Sequence, residues 1–85
     1  MSMVQELIAA VTNAERQIDD QIMKLQSYAG EIDKATQRVD SAFSGSEKEF
    51  DKQMLHQLSA TKTQVSDTLG RLQEAKTKLV QVRMI

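Results

Sequence analysis

The 85-residue chain has no cysteine, no proline and no tryptophan, and its aromatic and histidine content is one tyrosine, two phenylalanines and one histidine. Without cysteine there are no disulfides, no thiolate nucleophiles and no thiolate metal sites. Without proline, nothing in the chain obliges a helix to break. With so few aromatics, apolar content falls to Leu, Ile, Val, Met and Ala, the composition of proteins that pack helices rather than sheets. Charge of one sign is lacking too, since the formal net charge is −1. That balance leaves no clustered Lys/Arg footprint for nucleic acid or for an anionic membrane. No apolar run approaches the ~20 residues that span a bilayer. Met1-Ser2-Met3-Val4-Gln5-Glu6 lacks the charged start and long apolar stretch of a signal peptide. The expectation is a cytoplasmic protein, or one secreted without a cleaved leader, with no membrane span.

What is present is periodicity. Val4, Val11, Ile18, Leu25, Ile32 and Val39 recur every seventh residue, and Leu7, Ile8, Ala14, Ile22, Tyr28, Ala29, Ala35 and Ala42 fill the positions three or four beyond them. That is the stripe of one long amphipathic helix. The face with Asp19, Gln26, Asp33 and Asp40 reads as wet, and Gly30 as a glycine on the outer side, marking either a bend or close contact or a tolerated surface position. A second seam runs through Met54, Leu58, Thr61, Val65, Thr68, Leu72, Ala75, Leu79 and Val82. Between them, Ser44-Gly45-Ser46 are three poor helix residues in a row. Gly45 suits a helix stop, and Ser46 with Glu47 and Glu49 suits a cap and acidic first turn. The fold class predicted is all-α: a single domain of two long antiparallel helices, about 3–42 and 47–83, with a turn at 43–46.

The two halves agree on register. Val11 with Leu79, Ile18 with Leu72, Leu25 with Val65 and Ile32 with Leu58 share one index sum, and its midpoint is Gly45. Folding on that point also brings Glu6, Glu15, Asp19 and Asp20 toward Arg71, Lys76, Lys78 and Arg83. Phe50 is placed to close the hairpin end against Phe43 and Val39.

Catalytic material is scarce. His56 points outward by helical phase, Glu47, Glu49 and Asp51 are accounted for by the positive end of a helix, and Asp19-Asp20 is an exposed pair with no burial to separate its titrations. Two helices also enclose no concave pocket. The expectation is a chain that is not an enzyme and uses neither cofactor nor metal. Binding is the better prospect, because a chain this short builds only a marginal core and its apolar stripe is wider than one helix covers. Ile8, Ile22 and Ala29 in the first helix, with Leu55 and Leu69 in the second, lie to one side of the seam and are the predicted partner-binding residues. The outer row Ser59, Thr63, Ser66, Gly70 and Thr77 reads as a polar face or as a close-approach stripe. The partner expected is another helical protein, either a second copy or a different chain, completing a four-helix bundle.

Phe43-Ser44-Gly45, followed by Phe50-Asp51-Lys52, resembles the turn of the WXG-type small helical hairpins of type VII secretion. In that family an aromatic-x-Gly turn joins two long antiparallel helices. The likeness covers the chain in outline, with Phe43 where the family usually has tryptophan and no tyrosine-x-x-x-acid tail among the last residues. It implies an accessory hairpin that binds a sister hairpin or the helical N-terminal region of a secreted toxin and completes a composite export signal. Two other readings stay open: a type III secretion needle or chaperone-like hairpin, and a coiled-coil assembly subunit with no role in secretion.

The shared index sum generates a test of register. Cysteines at Leu25 and Val65 should crosslink within one chain; if crosslinks form only between chains, on non-reducing gels and by mass, the register is wrong.

Overall fold

In the computed structural model, residues 2–42 and 49–84 are described, apart from the side chain of Phe50. The turn residues Phe43 and Gly45 lie outside them, as do Ser46, Glu47 and the ring of Phe50, so the expectations placed on these groups are not addressed. The architecture is an all-α hairpin of α1 (Met3–Ala42) and α2 (Glu49–Arg83). It is a rod with extents of 66 × 15 × 14 Å. Forty residues at 1.5 Å each account for that long axis.

Ser2 starts α1. Its hydroxyl accepts a hydrogen bond from the Gln5 amide at 3.1 Å, and its carbonyl accepts one from the Glu6 amide at 3.1 Å. This is an N-cap with glutamine three residues on, the spacing of a capping box. At the other end of the chain, the Met84 amide donates to the Val80 carbonyl at 3.1 Å. In α2, Glu49 and Asp51 occupy the first turn and Arg83 the last, so both ends of that helix carry the charge its dipole favours.

The helices meet along a thin seam. Val11, Ile32 and Val65 are buried, and Ile18, Leu25, Leu58, Leu72 and Leu79 are half-buried. Asp51 is also buried. Beyond Val65 the seam of α2 keeps Leu72, Ala75 and Leu79 half-buried as expected but departs from the expected heptads at Thr68 and Val82. Thr68 is exposed and Val82 remains 47% exposed, whereas Leu69 and Val80 are half-buried. A straight α-helix drifts about 20° per heptad against a seven-residue repeat, so the inward position advances to the residue four further on. Thr68 then turns outward, and its hydroxyl donates to the Gln64 carbonyl at 2.9 Å.

Thr61, Thr63 and Thr77 make the same bond to the carbonyl four residues back, and α1 has one such threonine, Thr36. These threonines satisfy their hydroxyls locally but are poor helix formers. α2 therefore depends more on its packing against α1 than α1 depends on it. Gly30 and Gly70 are exposed, and a Cβ built at either meets nothing within 4 Å. Gly30 makes no close contact, and α1 runs through it as one helix.

Glycine costs about 1 kcal/mol relative to alanine in an exposed helix interior. Gly70→Ala should therefore raise the unfolding free energy by up to that amount, read from urea titration. Ile32→Ala, which empties a buried seam position, should lower stability by about 3 kcal/mol.

Candidate protein-binding surface

Among the described residues three ion pairs join the helices, and these three lie on one flank of the seam. Lys62 pairs with Asp33, Lys76 with Asp19 at 2.6 Å, and the Arg83 Nε with both carboxylate oxygens of Glu15 at 3.2 Å. Asp33 to Asp19 is fourteen residues back in α1, and Lys62 to Lys76 fourteen forward in α2, so the antiparallel register holds across two heptads. Glu15 is the most enclosed of these groups, its side chain 12% exposed. The expected meeting of early acids with late bases is met by Glu15, Asp19, Lys76 and Arg83. Glu6, Asp20, Arg71 and Lys78 form no ion pair among the described residues. Asp33–Lys62 is a pair that the reading of Asp33 as part of a wet face missed; a shared index sum with Asp19–Lys76 was the signal available for it.

The five residues expected to bind a partner sit as follows. Ile22, Ala29, Leu55 and Leu69 are half-buried within the hairpin itself, and Ile8 is 42% exposed near the open end. Leu55 and Leu69 alternate at seven-residue spacing with Lys62, Lys76 and Arg83, which puts them on the ion-paired flank. A shallow groove there is lined by Asp19, Ile22, Lys76 and Val80.

The opposite flank differs in kind. In α1 it is built from the residues three beyond each seam position: Leu7, Ala14, Gln21, Tyr28, Ala35 and Ala42. In α2 the equivalent row is Met54, Thr61, Thr68, Ala75 and Val82. Neither row contains a charge. Leu7 is 56% exposed and Tyr28 51%. At the open end this flank runs into a largely apolar groove lined by Val4, Leu7, Ile8, Val11, Val82 and Met84, with the ion-paired Arg83 at its border. The groove exists because α1 is five residues longer than α2 and Arg83, the last residue of α2, reaches only Glu15, leaving Val4 and Leu7 with little of α2 to face.

The remaining surface is polar. Ser59, Thr63, Ser66, Gly70 and Thr77 are all exposed, as is His56, which borders Glu49, Lys52 and Gln53. Among the described residues no three His, Cys, Asp or Glu side chains converge as metal ligands. No helix among them is long and apolar enough to cross a membrane.

The ion pairs differ in solvent access, and their contributions should differ accordingly. Arg83→Gln leaves the enclosed Glu15 carboxylate without its partner and should cost about 1 kcal/mol. Lys62→Gln, at an exposed pair, should cost under about 0.5 kcal/mol, and salt should erase most of it. Urea unfolding at low and high salt measures both.

No protein-family model, curated protein or solved structure matches this chain.

Proposed function

We propose that this chain is a non-catalytic binding hairpin that joins another helical chain and, in the manner of the WXG-type hairpins it resembles, helps target that chain for export by type VII secretion. The observation that carries the binding half is surface. The hairpin exposes 6725 Å², whereas a compact monomer of its mass exposes roughly 5,100 Å². Its radius of gyration of 19.3 Å compares with about 12 Å for a compact chain of this length. The exposed surface includes large apolar side chains, with Met3, Val4, Leu7, Met23, Tyr28 and Met84 each more than half exposed. No described side chain reaches full burial. A standard protein interface covers ~800 Å² per partner, which the surplus accommodates. A helical pair from another chain is the element that converts two half-covered helices into a bundle with an interior.

The export half rests on Phe43-Ser44-Gly45 and Phe50-Asp51-Lys52. On that reading the hairpin is made in the cytoplasm and leaves, if it leaves, with its cargo rather than by a cleaved leader. The cargo is a secreted toxin with a helical N-terminal region, or a sister hairpin.

Co-expression with the product of an adjacent gene that has a long helical N-terminal region should yield a stable complex of defined mass by light scattering. The thermal midpoint of the hairpin should rise in that complex, because a partner that binds only the folded state stabilises it. A hairpin that stays a well-folded monomer and takes up no such neighbour would overturn the reading.

A further inference from the structure

Resting on the reading that the hairpin binds another helical chain, the geometry points to the charge-free flank as the docking surface, and to a partner whose apolar helical stripe is bordered by carboxylates. The partner is then a different chain and not a second copy.

The argument starts from the two sides of the seam. On the ion-paired flank, Lys62, Lys76 and Arg83 are matched by Asp33, Asp19 and Glu15 of the other helix. A partner approaching there meets charges that are already neutralised and would have to be desolvated or broken. The other flank offers Leu7, Tyr28, Thr68 and Val82 with no charge in its rows to strip of water, and its apolar surface continues into the open-end groove, where the one charged lining residue, Arg83, is already held by Glu15.

The border of this flank identifies the occupant. The residues four before each flank position form its rims, and these rims hold Lys24 and Arg38 on α1 and Arg71 and Lys78 on α2. All four are exposed, and among the described residues none has a carboxylate within the 4.0 Å of an ion pair. The single acid in the rims, Glu31, is engaged by Lys34 at 3.5 Å. A chain of net charge −1 therefore presents an uncharged stripe between two cationic edges. In a symmetric dimer this flank would meet its own copy, and four cations would face four cations across the rims. A partner with acidic rims turns the same charges into cross-chain pairs, and rim charges of this kind select partners and steer encounter.

The probes are two synthetic helical peptides of four heptads, identical in their leucine seam, one flanked by glutamates and the other by lysines. Binding to the full chain is read by fluorescence anisotropy. The glutamate-flanked peptide should bind tighter by a factor on the order of ten or more, and the gap should close as salt is raised. Tyr28→Glu should abolish binding, and Lys24→Glu with Arg71→Glu should reverse the preference; circular dichroism checks that these exposed substitutions leave the hairpin folded. Equal binding of both peptides, or of neither, overturns the inference. So does a homodimer, seen by sedimentation, that Tyr28→Glu converts to monomer. A co-expressed complex that survives Tyr28→Glu removes this flank as the site while leaving the partner-binding reading standing; no complex with any neighbouring helical chain removes both.

Discussion

A helix in contact with only one other helix has roughly one side covered, and two helices placed side by side have no interior. This geometric limit governs most of what the hairpin does. Among the described residues it restricts the buried apolar set to Val11, Ile32 and Val65 and leaves the rest of a strong heptad pattern half in water. It also shifts part of the specification of register onto charge. A seam of similar aliphatic residues repeating every seven positions is nearly degenerate to sliding by one heptad, whereas such a slide trades the three pairs Asp19–Lys76, Asp33–Lys62 and Glu15–Arg83 for at most two, Asp19 with Arg83 and Asp40 with Lys62. Each exposed pair contributes little stability, yet a slipped register would separate them together.

The same limit explains why the two flanks of the seam have diverged. One is closed by ion pairs between the helices and is internally satisfied. The other is left uncharged, bordered by cations that have no partner among the described carboxylates. A monomer gains nothing from the second arrangement, since an apolar stripe in water is unfavourable and a row of like charges repels itself. Both features become favourable together when a complementary surface covers them, which links the packing of the hairpin to its proposed role.

The architecture was legible in the sequence because several independent signals coincide: six apolar residues at heptad spacing in α1, a glycine where two index series meet, and opposite charges at the two chain ends. What the sequence left open was the rotation of each helix about its axis. Heptad spacing says that Ile22 and Tyr28 lie on either side of Leu25, but not that Ile22 turns toward α2 while Tyr28 faces water. A roll of about 50°, half the angle between successive residues at 3.6 per turn, decides it, and apolar residues stand on both sides. The drift of a straight helix against the heptad likewise put Leu69 where Thr68 was expected. The start of α1 could have been read more closely, since Ser2 and Gln5 stand at capping-box spacing. The Phe43, Gly45 and Phe50 motif carries the family resemblance and bears on nothing described in the helices.

The ion pairs also carry information about time. Their partners lie further apart along the chain toward the open end, the last of them separated by 68 residues between Glu15 and Arg83. Contacts near the turn close small loops, and each one formed shortens the effective loop for the next, so loop-closure entropy favours assembly in zipper order from the turn to the open end. The reverse order governs opening. Among the described residues, the last turns of α2, with Val82 half exposed and Arg83 holding across to Glu15, are where that order has opening begin. The apolar groove beside Val4 and Leu7 lies against those turns, so opening there would widen it and leave the seam below in place.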